Sequence, residues 1–271
     1  MSERIAFIGG GNMASAIIGG LIQQGYSGPQ IDVVEPSEDA RSKLLGSFGI
    51  QARPQVGPFL GEAGLIVWAV KPQTFKDAAL AAQPFAAGAL HLSVAAGIRS
   101  DSMATWLGSE RIVRAMPNTP ALVGKGIAGL FARSAVTDAD RKRVEDVMAT
   151  TGQFIWLDAE EQLDAVTALS GSGPAYVFYF MEAMTTAGTE MGLSRAQAHQ
   201  LAVATFVGAS ELARTADEPP QVLRQRVTSK GGTTFAAISE MENNDMRAIF
   251  IDAIYAARER AKTLGDEFGA A

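Results

Sequence analysis

Three stretches of this chain set glycine beside hydroxyl or amide side chains where a helix begins, and glycine there can do chemistry. The first, FIGGGNMASAII, places Gly9, Gly11 and Ala14 in a G-x-G-x-x-A spacing, with Asn12 and Met13 inside it. In such a spacing the first glycine allows a tight turn, the second lets a pyrophosphate approach the backbone, and the small third residue permits close helix packing. The helix start then offers N–H groups and a positive dipole end to the phosphates. A glycine-rich turn without a ligand is the plain structural alternative. The second stretch, VTSKGGTTFAAI, sets Gly231 and Gly232 between Ser229 and the pair Thr233 and Thr234. Glycine inside a helix costs roughly 1 kcal/mol against alanine, so two adjacent glycines must supply something alanine cannot. Successive N–H groups uncovered by any Cβ, with hydroxyls beside a helix start, suit a small anion such as a carboxylate. An N-cap whose turn geometry needs glycine is the alternative. The third, LDAVTALSGSGPAYVF, reads as another such loop, with Ser170, Gly171, Ser172 and Gly173 ahead of a helix.

These stretches need elements to hold them. The first half alternates short apolar runs (RIAFI, IDVVE, LIVWAV, LHLSV, RIVRAM, GIAGLFA, FIWL) with helix-length segments. That rhythm predicts βαβ units and a mostly parallel sheet. Thr137 is placed to cap TDADRKRVEDVMATTG. After about residue 160 the rhythm becomes helical. GPAYVFYFMEAMTTAGTEMGL starts with Pro174 near its first turn, Ser194 is placed to cap the next segment, and TADEPP is the one turn-like break expected. Several polar residues leave strands at the edge where parallel sheets bind ligands. Glu35 ends the second apolar run, where an acid accepts bonds from the ribose hydroxyls of NAD; capping the helix near Ser37 is its other reading. Ser37 and Arg41 could instead serve a 2′-phosphate. Lys71 in AVKPQ is either a charge beside the ligand or a solvated turn residue. Asn118 in MPNTP is either a positioned amide or part of a rigid proline turn.

The bulk numbers exclude several classes. Hydrophobic residues make up 47% and charged residues 19% of the 271, which gives a full core, and the net charge of −6 argues against a generic nucleic-acid binder. There is no cysteine, and His91 and His199 are the two histidines. Disulfides, a cysteine nucleophile and a thiolate or histidine metal cluster are thereby excluded, and no metal is expected. With no apolar run of about 20 residues and no signal-like start, the expectation is a cytoplasmic protein with no membrane partner.

FIGGGNMASAII, AVKPQ, RAMPNTPALVGKG, LDAVTALSGSGPAYVFYFMEAM and PPQVLRQRVTSKGGTTFAAISEME together resemble the pyrroline-5-carboxylate reductases, essentially end to end. The resemblance implies a Rossmann domain over residues 1–160 and an all-helical domain over 161–271 that binds substrate and dimerises by interlocking helices. Larger assemblies, commonly decamers, occur in the family. It implies NAD(P)H-dependent reduction of the cyclic imine Δ1-pyrroline-5-carboxylate to L-proline, with NADPH the expected cofactor and NADH possible. By position, Gly9, Gly11, Asn12, Met13 and Ala14 would contact the pyrophosphate, and Ala69 and Lys71 the nucleotide; Glu35 and Ser37, read above from the residues themselves, complete the cofactor-binding candidates. Ala96, Asn118 and Ser172 would lie toward nicotinamide and substrate. Ser229, Gly231, Gly232, Thr233 and Thr234 would hold the substrate carboxylate, with the Thr234 hydroxyl near the ring nitrogen. The chain departs from the family at Glu35, where many members carry a small or hydroxyl residue suited to NADP. It departs again at Gln55 and Val56, where an asparagine is common. A β-hydroxyacid dehydrogenase is a rival reading; it needs a lysine in the helical half, where only Lys230 and Lys262 stand. A nicotinamide-binding sensor without turnover is a rival of another class.

Overall fold

The structure, a computed structural model, describes residues 4–269. The chain divides into two compact units. One runs to Ser172 and takes in the chain again from Ala257; the other is Gly173–Ala256.

The first unit alternates β1 (Arg4–Ile8), α1 (Asn12–Gln23), β2 (Ile31–Val34), α2 (Glu38–Phe48), β3 (Ala63–Trp68), α3 (Pro72–Ala86), β4 (Leu90–Ser93), α4 (Ser100–Leu107) and β5 (Ile112–Met116). It continues with β6 (Gly126–Ala132), α5 (Asp138–Ala149), β7 (Gly152–Trp156) and α6 (Gln162–Val166). The seven strands lie in the order β2-β1-β3-β4-β5-β6-β7. Every neighbouring pair is parallel except β5–β6. The strands read as apolar runs because both faces are covered. Alternate residues serve opposite faces. Ile5 and Phe7 pack with Ile17, Ile18 and Leu21 of α1, while Ala6 and Ile8 pack with Phe75 and Ala79 of α3. Thr137 caps α5 in a reciprocal box with Asp140, as its type and place predicted.

His91 on β4 is fully buried. Its Nδ1 accepts a bond from Trp68 Nε1 at 3.2 Å, and its Nε2 has no partner among the described residues. Burial, aided by Arg111, lowers its pKa from 6.5 to about 4. The unfolded chain therefore binds this proton more readily than the fold. The neutral ring's contribution is complete above about pH 6.5 and is lost as pH falls toward about 4. Denaturant midpoints should show a loss of about 2 kcal/mol between about pH 7.5 and about pH 5 from this group. In His91→Gln that increment should disappear; the same pH slope in both proteins would assign it elsewhere.

The second unit holds α7 (Gly173–Glu190), α8 (Arg195–Thr215), α9 (Pro220–Arg226), α10 (Thr233–Asn243) and the first part of α11 (Met246–Gly269). Ser194 caps α8 in a box with Gln197. Thr185 and Gly188 of α7 and Ala198 and Ala202 of α8 are buried, and a Cβ on Gly188 would stand 2.9 Å from that of Ala198. Phe250 takes Tyr176 and Phe180 edge-on. Many large apolar residues face outward, including Phe178, Tyr179, Leu201, Val207, Leu212 and Ile249. Such a surface on so thin a core marks a face that another surface covers.

Two expectations are corrected. LDAVTALSGSGPAYVF is not a loop: α6 passes through a π-turn at Thr167–Gly171 into α7. Thr167 and Ser170 turn their hydroxyls back onto the carbonyls of Leu163 and Val166, so these residues stay within the helix. Ser172 N–H reaches Thr167 O at 2.8 Å, which absorbs one extra residue. TADEPP is also not the one break. α7 ends in a Schellman-type closure, with Leu193 N–H on Gly188 O at 3.1 Å, and α10 stops before Asp245, whose φ is 53°.

Candidate active site

At the carboxyl ends of β1, β2 and β3 lies a cavity of about 690 Å³, a size suited to a small molecule or cofactor. The chain leaves β1 for β2 on one side and then for β3 on the other. This reversal is the switch point at which such sheets bind ligands. Gly9, Gly11, Glu35, Ala69 and Lys71 line the cavity. Gly9 has φ +98°, and a Cβ on it would stand 2.5 Å from Ala69 O, so the turn itself demands glycine. Gly11 differs. Its φ is −74°, and a Cβ would meet nothing within 4 Å. Neither conformation nor packing requires glycine there, which leaves the approach of a ligand. Ser15 is the first residue of α1 to bond back, to Gly11 O at 2.9 Å. The N–H groups of Asn12, Met13 and Ala14 therefore have no acceptor among the described residues, and Ala14 is fully buried. These features fit a dinucleotide pyrophosphate.

Glu35 closes one side. Its Oε2 accepts from Gly10 N–H and its Oε1 from Ser37 N–H, each at 2.8 Å. The carboxylate thus braces the loop before α2, and it also lines the cavity. Ser37 caps α2. The other wall was not singled out in the sequence. Thr74, Ala78 and Ala81 of α3 line it, and their spacing of four and three is the signal that marks one helix face. Pro54, Gln55 and Val56 complete the lining. Asn12, Met13, Ala14 and Ser37 adjoin lining residues in the chain but do not line the cavity, and Ala96, beyond β4, does not line it either.

Asn118 is buried and held at both ends. Its Oδ1 accepts from Ile127 N–H at 3.0 Å, and its Nδ2 donates to Ser170 O at 3.1 Å. The second bond has a sequence cause. Ser170 O would accept from residue 174 in a regular helix, but Pro174 has no N–H. Asn118 supplies the missing donor. Ser172 ends this segment, and its hydroxyl has no partner among the described residues.

In the second unit the loop from Ser229 to Gly232 enters α10. Gly231 has φ +78°, and Gly232 N–H bonds Ser229 O at 3.0 Å. Gly232 is the N-cap and no side chain caps the helix. The N–H groups of Thr233, Thr234 and Phe235 and both threonine hydroxyls have no partner among the described residues. Such a set of unpaired donors at a helix start is suited to a small anion.

A family model described as pyrroline-5-carboxylate reductase dimerisation matches residues 160–264. A second, described as NADP oxidoreductase, coenzyme F420-dependent, matches residues 4–97. A pyrroline-5-carboxylate reductase of Pseudomonas aeruginosa is 43% identical over 270 residues, covering 99% of both chains. The chain belongs to the pyrroline-5-carboxylate reductase family. The family fold agrees. The solved structure of a pyrroline-5-carboxylate reductase from Coxiella burnetii superposes with a TM-score of 0.90 at 38% identity, over 97% of this chain and 99% of that one. That of the Plasmodium falciparum enzyme, solved with NADP bound, gives 0.88 at 29% identity, over 97% and 98%. The expected architecture, a Rossmann half and a helical dimerisation half, is thus the observed one. No helix among the described residues is long and apolar enough to cross a membrane.

Proposed function

We propose that the protein reduces Δ1-pyrroline-5-carboxylate to L-proline, adding hydride to the imine carbon, which becomes C5 of proline, while the ring nitrogen keeps its proton. The observation that carries this reading is the 43% identity to the Pseudomonas aeruginosa reductase along the whole chain. The open glycine cradle of the first unit and the uncapped start of α10 in the second support it. Residues 1–160 serve the nucleotide; residues 161–271 serve the substrate and hold two copies together. The outward apolar faces of α7, α8 and α11 are what a second copy would cover, and assembly beyond the dimer follows the family's habit.

A bound reduced nicotinamide dinucleotide supplies the hydride. Gly11 admits the pyrophosphate to the first-turn N–H groups of Asn12, Met13 and Ala14. Ala69 and Lys71 line the nucleotide side, and Ala96 faces the nicotinamide. Gly231, Gly232 and Thr233, with Ser229 alongside, hold the substrate carboxylate, while the Thr234 hydroxyl reaches toward the ring nitrogen. Asn118 fixes the π-turn and so the free hydroxyl of Ser172, and keeps a second amide N–H for the ligand. A protonated imine needs no strong acid, so the protein orients two anions and excludes water. This matches a site without histidine: His91 is in the core and His199 lies on α8. NADPH is the donor the family resemblance favours; the ribose pocket of this chain argues for NADH.

Loss of nicotinamide absorbance with pyrroline-5-carboxylate tests the reading, and a nucleotide-binding protein that gives no turnover would overturn it. In Thr234→Ala, kcat/KM should fall by roughly 1–3 kcal/mol, the scale of a hydrogen bond to a charged or reacting group. Dinucleotide affinity should stay as it was. Unchanged kinetics would remove Thr234 from the site.

A further inference from the structure

The cavity at the end of β2 carries a carboxylate that bears on the choice between two cofactors. Glu35 lines the cavity, and each of its carboxylate oxygens accepts one backbone N–H, from Gly10 on one side and Ser37 on the other. Two bonds to rigid backbone fix the group and leave its remaining lone pairs free, since a carboxylate accepts about four hydrogen bonds. A ribose 2′-hydroxyl can donate to such an acceptor. A 2′-phosphate replaces that hydroxyl, is mostly doubly ionised near neutral pH, and brings like charge against the carboxylate.

The cations nearby do not offset this. Arg41 turns Nη1 onto the carbonyls of Glu35 at 2.9 Å and Pro36 at 2.6 Å, bracing the same loop. Arg53 lies 3.9 Å from Asp32 and stacks at 4.3 Å on the Phe59 ring. Lys71 follows β3, two strands across the sheet from β2, or about 10 Å at the usual strand spacing.

We propose that Glu35 makes this chain an NADH-preferring reductase that rejects the 2′-phosphate of NADPH. The residues present do not fit NADP, although a structural relative holds it. The proposal rests on the reading of this cavity as the dinucleotide site.

Binding, not turnover, tests it. The full-length protein without substrate is titrated calorimetrically with NADH and with NADPH. NADH should bind at least roughly tenfold tighter, the scale set by one unfavourable charge contact. Glu35→Ser should bring the two affinities together, because a 2′-phosphate then meets no opposing carboxylate. Arg41→Ala should keep the NADH preference. Equal or tighter NADPH binding by the unsubstituted protein overturns the proposal while leaving the dinucleotide site in place. Binding of neither overturns both. If Glu35→Ser fails to fold by circular dichroism, the unsubstituted ratio and Arg41→Ala decide.

Discussion

Gly11→Ala is expected to fold as stably as the parent and to lose about 10²-fold in kcat/KM and in dinucleotide affinity. The two halves of this expectation have separate causes. The parent backbone at Gly11 is ordinary, with φ −74°, and the added methyl would meet no atom of the protein within 4 Å. A glycine-to-alanine change at a compatible position even stabilises slightly, by about 0.4–1 kcal/mol through the unfolded chain. The methyl would instead occupy the space through which the pyrophosphate reaches the N–H groups of α1. A displacement of about 1 Å there suffices for a loss of about 10²-fold. Gly9 could not separate these effects, because a Cβ there strikes Ala69 O at 2.5 Å and strains a turn with φ +98°. Thermal unfolding of the variant without nucleotide, followed by calorimetric titration with NADH, checks both halves. Unchanged affinity would mean that the pyrophosphate does not pass over Gly11.

Glu160→Ala carries the largest expected effect on stability, about 3–5 kcal/mol, the cost of leaving a buried charge without its partner. Arg114 on β5 is 5% exposed, and its Nη1 lies 2.5 Å from Glu160 Oε1. Burial pulls the guanidinium below its ordinary pKa, and Glu160 opposes that pull. The same carboxylate accepts from the N–H of Ser100 at 2.6 Å and from its hydroxyl at 2.5 Å, so it also holds the first turn of α4. Removing it strands a buried cation and frees two donors. The loss is a large part of a typical stability of about 5–15 kcal/mol. An Arg114→Met, Glu160→Met double variant should recover most of it, since an apolar pair of similar volume carries no stranded charge. Urea midpoints of the three proteins decide. A single variant that loses under about 1 kcal/mol would show that Arg114 finds another partner or water.

Much of this was legible in the residues. β-branched runs between helical segments gave the sheet, and the caps at Thr137 and Ser194 formed because a hydroxyl ahead of a helix finds the free N–H of its first turn. The glycine cradle was readable from its spacing together with the apolar run before it and the helical segment after it. What failed was local: Ser170, Gly171, Ser172 and Gly173 look like a loop, yet the helix continues through them. That outcome depends on Met116 lying over Gly171, where a Cβ would come within 2.6 Å, and on Asn118 reaching Ser170 O across 52 residues. Neither contact has a local signature. The wall of Thr74, Ala78 and Ala81 escaped for a related reason. Small residues at helical spacing look like any packed face until the topology sets a cavity beside them.

The most direct measurement uses NADH deuterated at the transferring position of nicotinamide C4, with pyrroline-5-carboxylate as the acceptor, and reads the product by mass spectrometry. Proline one mass unit heavier, with the deuterium on C5, is the expected product. Unlabelled proline, or no proline from a protein that binds the nucleotide, would contradict it.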